Sequence, residues 1–362
     1  MPGTVTFLGA GATKSCQGPL TSEILPSMLH RESASGTASP DLSGRSALIQ
    51  AFLSEQFHVT PESPKEHYPG LPLLMSLIDT ALDRRQSFHP DWNVERMVDL
   101  REAIEFGIFD RLEEQLRRAP TNNHYELLNR LYAMDGEPGV ITTNYDLIMD
   151  TAVMFLAQNR IPDGGRFPDY RCQISNDFYL NEPQRFGTLL KLHGSLNWLY
   201  CRTCARLEIG ASESARWLRV VTKMLGPSLE DFYSPDGAAC TICQTKLRPL
   251  LIAPSHLKNY RNPHIAQVWY AAEQVLRGAE RIVFVGYSLP DDDVEVVYLL
   301  KRSLSHLTPS QVSVIEYAEG DLNVSLLEHP VGRRYRTLFG DGINWQAGGL
   351  DAWLEAGTPG LG

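Results

Sequence analysis

The chain has 362 residues, a length that accommodates one large domain or two of modest size. Its 33 basic and 43 acidic side chains give a formal net charge of −10, which argues against a surface built for tight, sequence-independent binding to nucleic acid. With 43% hydrophobic and 21% charged residues the chain can bury a core, which excludes an intrinsically disordered protein.

The first residues, MPGTVTFLGAGATKSC, contain neither a basic segment nor a small-residue cleavage site, so we expect no secretion signal. No apolar run approaches the ~18 residues that a membrane span needs. Six cysteines are too few for a disulfide scaffold in a chain of this length. Together these features predict a cytoplasmic protein that makes no use of a membrane.

Short apolar, β-branched runs alternate with amphipathic segments along the chain. Most of the runs are apolar at successive positions, as in parallel strands that are buried on both faces. The predicted strands are residues 4–8, 139–142, 188–192, 249–253, 281–285 and 311–317. The predicted helices include residues 73–82, 94–116, 265–276 and 294–304. This order predicts an α/β fold with a parallel sheet of about six strands.

Two segments are too long for ordinary connections between strands. The first reads mostly as helical and predicts a helical insertion at residues 31–118, with a mobile Ser- and Gly-rich loop at residues 32–46. The second contains the paired cysteines and predicts a small module at residues 198–248. Residues 1–30 and 119–362 would form the domain of the parallel sheet, with the small module inserted in it.

Clusters of polar and glycine residues begin where the predicted strands end. They are Gly9 to Ser15, Thr143 to Asp146, His193 to Ser195, Gly286 to Pro290 with the following aspartates, and Glu316. Ligands of open parallel sheets bind outside the carboxyl ends of the strands. The positions of the clusters therefore predict a single ligand site at this edge of the sheet.

The glycine-rich turn after the first strand has two interpretations. Gly9 and Gly11 would let backbone N–H groups approach a pyrophosphate, but the same pattern also occurs in an ordinary tight turn between a strand and a helix. The turn is not a Walker A loop, because Thr13 stands where that motif has a glycine before Lys-Ser.

The other polar residues also leave alternatives open. Asn144 and Asp146 could hold a ribose hydroxyl, a water or a carboxamide, or could cap a helix. His193 could take a proton from a hydroxyl at neutral pH, or could be a hydrogen-bonded core residue. Glu316 could accept from ribose hydroxyls or be a solvated strand end. Asp291–Asp293 fit better at the start of a helix, where its dipole favours acidic residues, than in a metal site.

Two Cys-x-x-Cys pairs supply the four thiolates of a tetrahedral structural zinc site, and a redox dithiol or two fortuitous pairs are the alternatives. The four candidate ligands are Cys201, Cys204, Cys240 and Cys243. The gap between the pairs is longer than the usual ~15–20 residues and contains a predicted amphipathic helix at residues 215–225. Cys16 and Cys172 fit as small packing residues.

The segments GAGATKS, TTNYD, LHG, the two Cys-x-x-Cys pairs, RPLLIAP, GYSL and VIEY occur in the order of the NAD-binding motifs of sirtuins. From Val5 to Tyr317 the chain resembles this family. The resemblance implies a Rossmann-like NAD domain with a small zinc module, and an enzyme that breaks the nicotinamide–ribose bond of NAD.

The resemblance also implies roles for the matched residues. Asn144 would face the nicotinamide ribose, Asp146 would face the carboxamide, and His193 would be the general base. Gly9, Ala10, Gly11 and Ser15 would line the NAD phosphates, and Ser288 and Glu316 would lie along the adenosine half. The residues implied to bind NAD are Gly9, Ala10, Gly11, Ser15, Thr143, Asn144, Asp146, Gly286, Ser288 and Glu316.

The chain departs from the sirtuin deacylases in the segments that hold the acyl-lysine peptide. Leu20-Thr21-Ser22 follows the matching Pro19 in place of Asp-Phe-Arg, and Ala253-Pro254-Ser255 replaces Phe-Gly-Glu. Acidic residues follow GYSL in place of a valine-containing strand that pairs with peptide. The glycine loop is more similar to that of bacterial sirtuin-like NAD hydrolases, which often act in antiphage defence.

We therefore expect an NAD hydrolase that releases nicotinamide and ADP-ribose. The alternatives are an NAD-dependent protein deacylase or ADP-ribosyltransferase, a non-catalytic regulatory subunit that binds NAD or ADP-ribose, and a scaffold that uses the fold alone. A toxic NAD hydrolase needs an inactive state, imposed by homo-oligomerisation or by a regulatory protein partner. The helical residues 71–118 are the candidate surface for that contact.

Overall fold

A computed structural model describes residues 3–29, 40–116, 123–160, 167–175, 177–180, 185–209, 239–317 and 324–360. The strands are β1 Thr4–Leu8, β2 Gly139–Thr142, β3 Thr188–Lys191, β4 Gly194–Tyr200, β5 Leu207–Ile209, β6 Arg248–Leu251, β7 Arg281–Val285, β8 Val312–Ile315 and β9 Asn344–Gln346. The α-helices are α1 Thr21–Leu29, α2 Pro40–Phe57, α3 Leu71–Arg84, α4 Val94–Leu116, α5 Asn123–Asp135, α6 Ile148–Arg160, α7 Asp177–Leu180, α8 Pro263–Arg277, α9 Val294–Ser303, α10 Pro330–Phe339 and α11 Gly349–Glu355. The predicted α/β class is confirmed.

The centre of the fold is a parallel sheet, in which the described residues form six strands in the order β3-β2-β1-β7-β8-β9. Phe7 of β1 lies opposite Ile141 of β2 on one side and opposite Phe284 of β7 on the other. The chain moves outward from β1 to β3 and later returns to place β7 on the other side of β1. The topological switch point is therefore between β1 and β7, where an open sheet of this kind binds its ligands.

Except for β9, the strands of this sheet are largely apolar because helices cover them. Every residue of β1, β2 and β8 is buried, and so is all of β7 except Arg281. The first hydrophobic core joins these strands to buried residues of α5, α6, α8, α9, α10 and α11, such as Leu131, Val153 and Leu276. Local signals start the covering helices: the side chain of Asn262 accepts from the backbone N–H of His264, and Pro263 occupies the first turn of α8.

One predicted strand of the parallel sheet is wrong. The segment at residues 249–253 corresponds to β6, which pairs antiparallel with β4 in a separate three-stranded sheet of order β5-β4-β6. An apolar run of five residues has no feature that distinguishes a parallel from an antiparallel partner. The sixth strand of the parallel sheet is instead β9, an edge strand whose three residues are half-buried and carry no apolar run.

The helices α1 to α4 form a second hydrophobic core with part of the small sheet. Buried residues of these helices, such as Leu25, Phe52, Leu74 and Leu100, belong to one cluster. The same cluster includes Leu196 and Leu199 of β4 together with Cys201 and Cys240. The helical segment therefore shares its core with the cysteine-containing segment. The three-part division into domains at residues 31–118 and 198–248 stays a prediction.

The predicted helices at residues 73–82, 94–116, 265–276 and 294–304 are confirmed as α3, α4, α8 and α9, except that residue 304 lies beyond the end of α9. The mobile loop predicted at residues 32–46 is wrong from Pro40 onward, because α2 begins there, and residues 32–39 lie outside the described residues. The amphipathic helix predicted at residues 215–225 lies outside the described residues. No helix in the described part of the chain combines the length and the apolar character that crossing a membrane requires.

Candidate active site

Two glycine-containing turns pack backbone against backbone at the switch point. Gly11 donates its N–H to the carbonyl oxygen of Gly286 at 2.8 Å, and Gly9 donates to Val285 at 3.0 Å. Gly286 has a φ of +59°, and a Cβ placed on it would lie 2.1 Å from the backbone nitrogen of Ala12. A side chain at position 286 therefore cannot fit, so only glycine can occupy this position.

Between these turns and the helical segment lies a cavity of about 430 Å³. Its walls come from the ends of β1, β2, β3, β7 and β8, from the loop after β6, and from the starts of α1 and α3. Of the residues predicted to bind the cofactor, those that line it are Ala10, Gly11, Thr143, Asn144, Asp146, Gly286, Ser288 and Glu316. The predicted general base His193 also lines this cavity.

Gly9 and Ser15 are placed differently from the other predicted residues. Neither is among the described residues that line the main cavity. The carbonyl oxygen of Gly9 accepts a hydrogen bond from the Asn144 side-chain amide at 2.9 Å. Ser15 lines a neighbouring cavity of about 390 Å³ with Lys14, Tyr317 and Asp351, and Gly11 borders both cavities.

Asp146 combines the two roles that its sequence context allows. The carboxylate of Asp146 accepts from the backbone N–H of Ile148 at 3.0 Å and so caps the start of α6, while its side chain also faces the cavity. Burial raises the pKa of Asp146 to about 6, and the nearby Lys191 acts in the opposite direction. At pH 7 Asp146 is therefore mostly ionised and able to accept hydrogen bonds.

A buried lysine holds the turn that carries Asn144 and Asp146. Lys191, whose side chain is 1% exposed, donates to the backbone oxygen of Asp146 at 2.6 Å and to the carboxylate of Asp150 at 2.8 Å. Its ammonium therefore has an ionic partner within the core, as a buried charge requires. The pair fixes the end of β2 relative to β3.

His193 lies at the end of β3, next to the hydroxyl of Tyr260 and the carboxylate of Asp293. Its Nε2 is 3.3 Å from the hydroxyl of Tyr260 and 3.7 Å from a carboxylate oxygen of Asp293. Burial lowers the pKa of His193 to about 4, and Asp293 acts against this effect. The imidazole is therefore neutral at pH 7, which is the form that accepts a proton.

Glu316 is buried at the end of β8 and is not the solvated strand end that the sequence left open. Its side chain lines the cavity, and its Oε2 has no hydrogen-bond partner in the described part of the chain. Burial raises the pKa of Glu316 to about 7, with Arg334 acting in the opposite direction. A buried acceptor without a donor is costly, and a ligand hydroxyl would satisfy it.

Cys201, Cys204, Cys240 and Cys243 form a cluster in which all four Sγ atoms lie within 4.8 Å of one another. The nearest pairs, Cys201–Cys243 and Cys204–Cys240, are both 3.4 Å apart. Tetrahedral zinc with Zn–S bonds of about 2.3 Å requires sulfur atoms about 3.8 Å apart, so the cluster fits a four-coordinate metal. This geometry agrees with the predicted set of ligands.

Lys258 and residues at the starts of α1 and α3 line the cavity but belong to none of the predicted clusters. Tyr145, Asp292 and Asp293 belong to those clusters and also line the cavity, although no ligand role was predicted for them. The sequence places Asp293 at the start of α9, where the helix dipole favours an acidic residue. In the structure its side chain makes no capping bond and is instead buried against Lys258 and His193. The combination of an isolated lysine and an acidic run was the available signal, but nothing in the sequence pairs them.

Together, the parallel sheet, the glycine turns at its switch point and the cavity at its carboxyl edge define a Rossmann-like α/β protein with a four-cysteine cluster. Residues 138–325, just over half of the chain, match the family model of the SIR2-like domain. The chain therefore belongs to the SIR2-like, or sirtuin-like, family, as its motifs predicted. No curated protein sequence matches the chain significantly.

Solved structures of Sir2 proteins are similar to this chain at low identity. A mutant Sir2 homologue in complex with 2′-O-acetyl ADP-ribose has 15% identity and a TM-score of 0.45, covering 98% of this chain and 89% of that one. Sir2Tm bound to a propionylated peptide has 13% identity and a TM-score of 0.43, covering 98% and 93%. A Sir2 homologue in complex with NAD has 15% identity and a TM-score of 0.40, covering 92% and 87%.

Proposed function

We propose that this protein binds NAD in the cavity at the switch point and hydrolyses the nicotinamide–ribose bond, releasing nicotinamide and ADP-ribose. The observation that carries the proposal is the convergence of Asn144, Asp146 and His193 on one cavity that is also lined by Gly11 and Glu316. These residues come from the ends of four different strands, and membership of the SIR2-like family supports the assignment.

In this proposal each part of the cavity holds one part of NAD. The turns at Ala10, Gly11 and Gly286 lie against the pyrophosphate, because glycines without side chains let a ligand approach the backbone closely. Gly11 and Gly286 donate their own N–H groups to the carbonyl oxygens of Gly286 and Ile315. Ser15, in the neighbouring cavity that Gly11 also borders, lies on the phosphate side, and Ser288 lies along the adenosine half. Glu316 accepts from ribose hydroxyls, which gives its unpartnered oxygen a donor. Gly9 and Thr143 support the same walls through their backbone.

The chemistry needs little more than orientation and charge. Nicotinamide in NAD is a cationic leaving group, so the barrier comes from the oxocarbenium-like ribose that remains. Asn144 holds the ribose hydroxyls or the attacking water, and Asp146 accepts from the carboxamide and fixes the ring. His193 takes the proton of the ribose hydroxyl or of the water, which its neutral form allows.

Water is the acceptor that the loops around His193 favour. The segments replaced relative to the deacylases, Ala253-Pro254-Ser255 and the acidic residues after β7, are fastened together by Lys258, which is buried and bonded to both Asp292 and Asp293. A polypeptide that entered between these loops would have to break this buried ion cluster, at a cost of several kcal/mol. A water molecule requires no such opening.

We also propose that the four-cysteine cluster binds zinc in a structural role. The residues that would hold it are Cys201, Cys204, Cys240 and Cys243, and four thiolate ligands leave no open position for a substrate. Cys201 and Cys240 belong to the same hydrophobic core as α1 to α4. The metal would therefore tie the small sheet to the helices that border the cavity.

The biological role that we propose is depletion of NAD during antiphage defence, which rests on the resemblance of the glycine loop to that of bacterial sirtuin-like NAD hydrolases. Such an activity requires an inactive state, and residues 71–118 are the proposed surface for a second copy or a regulatory partner. Leu73 and Val98 are exposed there, at 48% and 42%. Phage challenge of cells that carry the wild type or a His193→Ala variant tests the role.

The decisive experiment mixes the purified protein with NAD and resolves nicotinamide, ADP-ribose and acyl products, with and without an acyl-lysine peptide. We expect nicotinamide and ADP-ribose without the peptide. His193→Ala and Asn144→Ala should each reduce the rate by at least about 100-fold with the fold intact. His256→Ala, an exposed histidine outside the cavity lining, is the matched control and should retain the wild-type rate.

Each other result selects a different function. Release of nicotinamide that requires the peptide would indicate a deacylase, and transfer of ADP-ribose to a protein would indicate a transferase. Calorimetric binding of NAD without cleavage would indicate a regulatory subunit. If NAD produced neither heat nor products, the proposal would be wrong. A soluble His193→Ala protein that consumed NAD at the wild-type rate would remove the role of His193.

A further inference from the structure

A buried cluster of charges joins two loops beside His193. Lys258, in the loop between β6 and α8, has a side chain that is 1% exposed. Its Nζ donates to the backbone oxygen and the carboxylate of Asp292, both at 2.6 Å, and also bonds to Oδ1 of Asp293. The two aspartates lie in the loop between β7 and α9, so one ammonium holds both loops in place.

Asp293 connects this cluster to the imidazole. Its Oδ1, which Lys258 contacts, is also 3.7 Å from Nε2 of His193, and its Oδ2 accepts from the hydroxyl of Tyr287 at 2.9 Å. Tyr260, from the same loop as Lys258, places its hydroxyl 3.3 Å from the same Nε2. Two loops that follow strands of different sheets, β6 and β7, thus meet at one edge of the ring.

The charged and titratable groups around His193 come from three segments. Asp292 and Asp293 precede α9, Lys258 and Tyr260 follow β6, and Tyr145 follows β2 with its ring centroid 6.4 Å from that of His193. The aspartates favour the protonated imidazole, whereas burial and Lys258 disfavour it. Lys258 therefore balances the aspartates while the ring is neutral.

We infer that Asp293 is a positioning residue for His193 and becomes its counter-ion when the ring accepts a proton. This inference rests on the proposed function, in which the O–H bond of a ribose hydroxyl or water breaks, its electron pair stays on oxygen, and an N–H bond forms on the imidazole. Lys258 and Tyr287 hold the Asp293 carboxylate at the ring, so the charge that stabilises the imidazolium is in place before the proton arrives.

The first test measures the pKa of His193 and does not depend on enzymatic activity. The titration of His193 is followed by NMR in protein labelled with ring-¹³C histidine, with the resonance assigned by its loss in His193→Gln. Lys258→Met should raise the pKa of His193 by about one unit or more, because the aspartates are then unbalanced. Asp293→Asn should lower it, and the double variant should return towards the wild type. Asp291→Asn, an exposed aspartate of the same loop, should leave it unchanged.

The second test uses the proposed reaction. Asp293→Asn should lower the kcat of NAD cleavage at least about 10-fold with little change in KM, and should shift the acid limb of the kcat profile in the direction found by NMR. Lys258→Arg should restore the profile that Lys258→Met shifts. A merely structural role would lower the amount of folded protein and leave the pH profile of the remaining activity unchanged.

The outcomes separate this inference from the proposed function. If the wild type releases no nicotinamide, the proposed function fails, and the NMR shifts alone decide whether Asp293 is electrostatically coupled to His193. If the wild type is active but Asp293→Asn keeps both its kcat and its pH profile, the positioning role is refuted. Titrations that are unchanged, or that move in the same direction in Lys258→Met and Asp293→Asn, also refute it. Should Asp293→Asn not fold, the Lys258→Met and Lys258→Arg pair decides.

Discussion

Replacing Glu316 with glutamine gives a quantitative test of how this cavity is built. Glu316 is 7% exposed, and its Oε2 lacks a partner among the described residues. Burial raises its pKa from 4.5 to about 7, so the folded protein favours the protonated acid. Glutamine resembles that neutral form in size and remains neutral at every pH. The variant therefore removes the titration while it keeps the shape of the side chain.

The sign and size of the effect follow from proton linkage. Between pH 4.5 and about 7 the folded protein holds a proton on Glu316 that the unfolded chain has lost, so this group lowers the free energy of unfolding as the pH rises. Below this range, and above it, both states carry the same number of protons at this position and the contribution is level. At about 1.4 kcal/mol for each pKa unit, the total loss across the range is about 3 kcal/mol.

The assay is urea denaturation of the ligand-free protein at pH 5 and pH 8. From pH 5 to pH 8, the free energy of unfolding of Glu316→Gln should rise by about 2–3 kcal/mol relative to that of the wild type. A cost of the new amide that is the same at both pH values cancels, because the assay compares the stability difference between variant and wild type at pH 5 with that at pH 8. Glu295→Gln, an exposed glutamate at the start of α9, is the control and should show almost no change.

A difference between wild type and Glu316→Gln that is constant with pH would refute the reasoning, because it would mean that Glu316 ionises as freely in the folded protein as in the unfolded chain. A difference that grows in the opposite direction would mean that a cation pairs with the carboxylate. Adding NAD at pH 8 extends the test: the proposed ribose contact predicts a larger stabilisation of the wild type than of the variant.

Two further predictions concern the backbone and the cysteines. Gly286→Ala should destabilise the protein by at least ~2 kcal/mol and weaken NAD binding, because the new Cβ would lie 2.1 Å from the Ala12 nitrogen. Gly44→Ala is the control in α2, where no atom lies within 4 Å of the new Cβ, and it should stabilise the protein by about 0.5–1 kcal/mol. Equal shifts of the melting temperature in the two variants would contradict this prediction. Cys240→Ser should lose bound zinc and have a lower melting temperature, whereas Cys172→Ser should keep its zinc. Zinc is measured by atomic emission on the purified proteins. A wild-type protein that contained no metal would contradict the assignment.

The elements that depend on local patterns could be predicted from the amino-acid sequence. Buried parallel strands such as β7 are apolar at successive positions, and the apolar residues of amphipathic helices such as α4 recur about every 3.6 residues, so both were predicted from the chain alone. The glycine turn after β1 and the polar residues after β2, β3, β7 and β8 could be assigned to one edge of the sheet because parallel strands share it. The four cysteines could be assigned to one cluster because of their paired spacing.

Contacts between distant residues depend on the three-dimensional fold. Whether β6 pairs with β4 or joins the parallel sheet depends on the path of the chain, and β9 is too short and too polar to be recognised from a pattern. Lys258 and Asp293 are 35 positions apart and no periodicity links them, yet they meet beside His193. Such contacts depend on folding that buries opposite charges together, because a buried ion requires a partner that only the assembled core can supply.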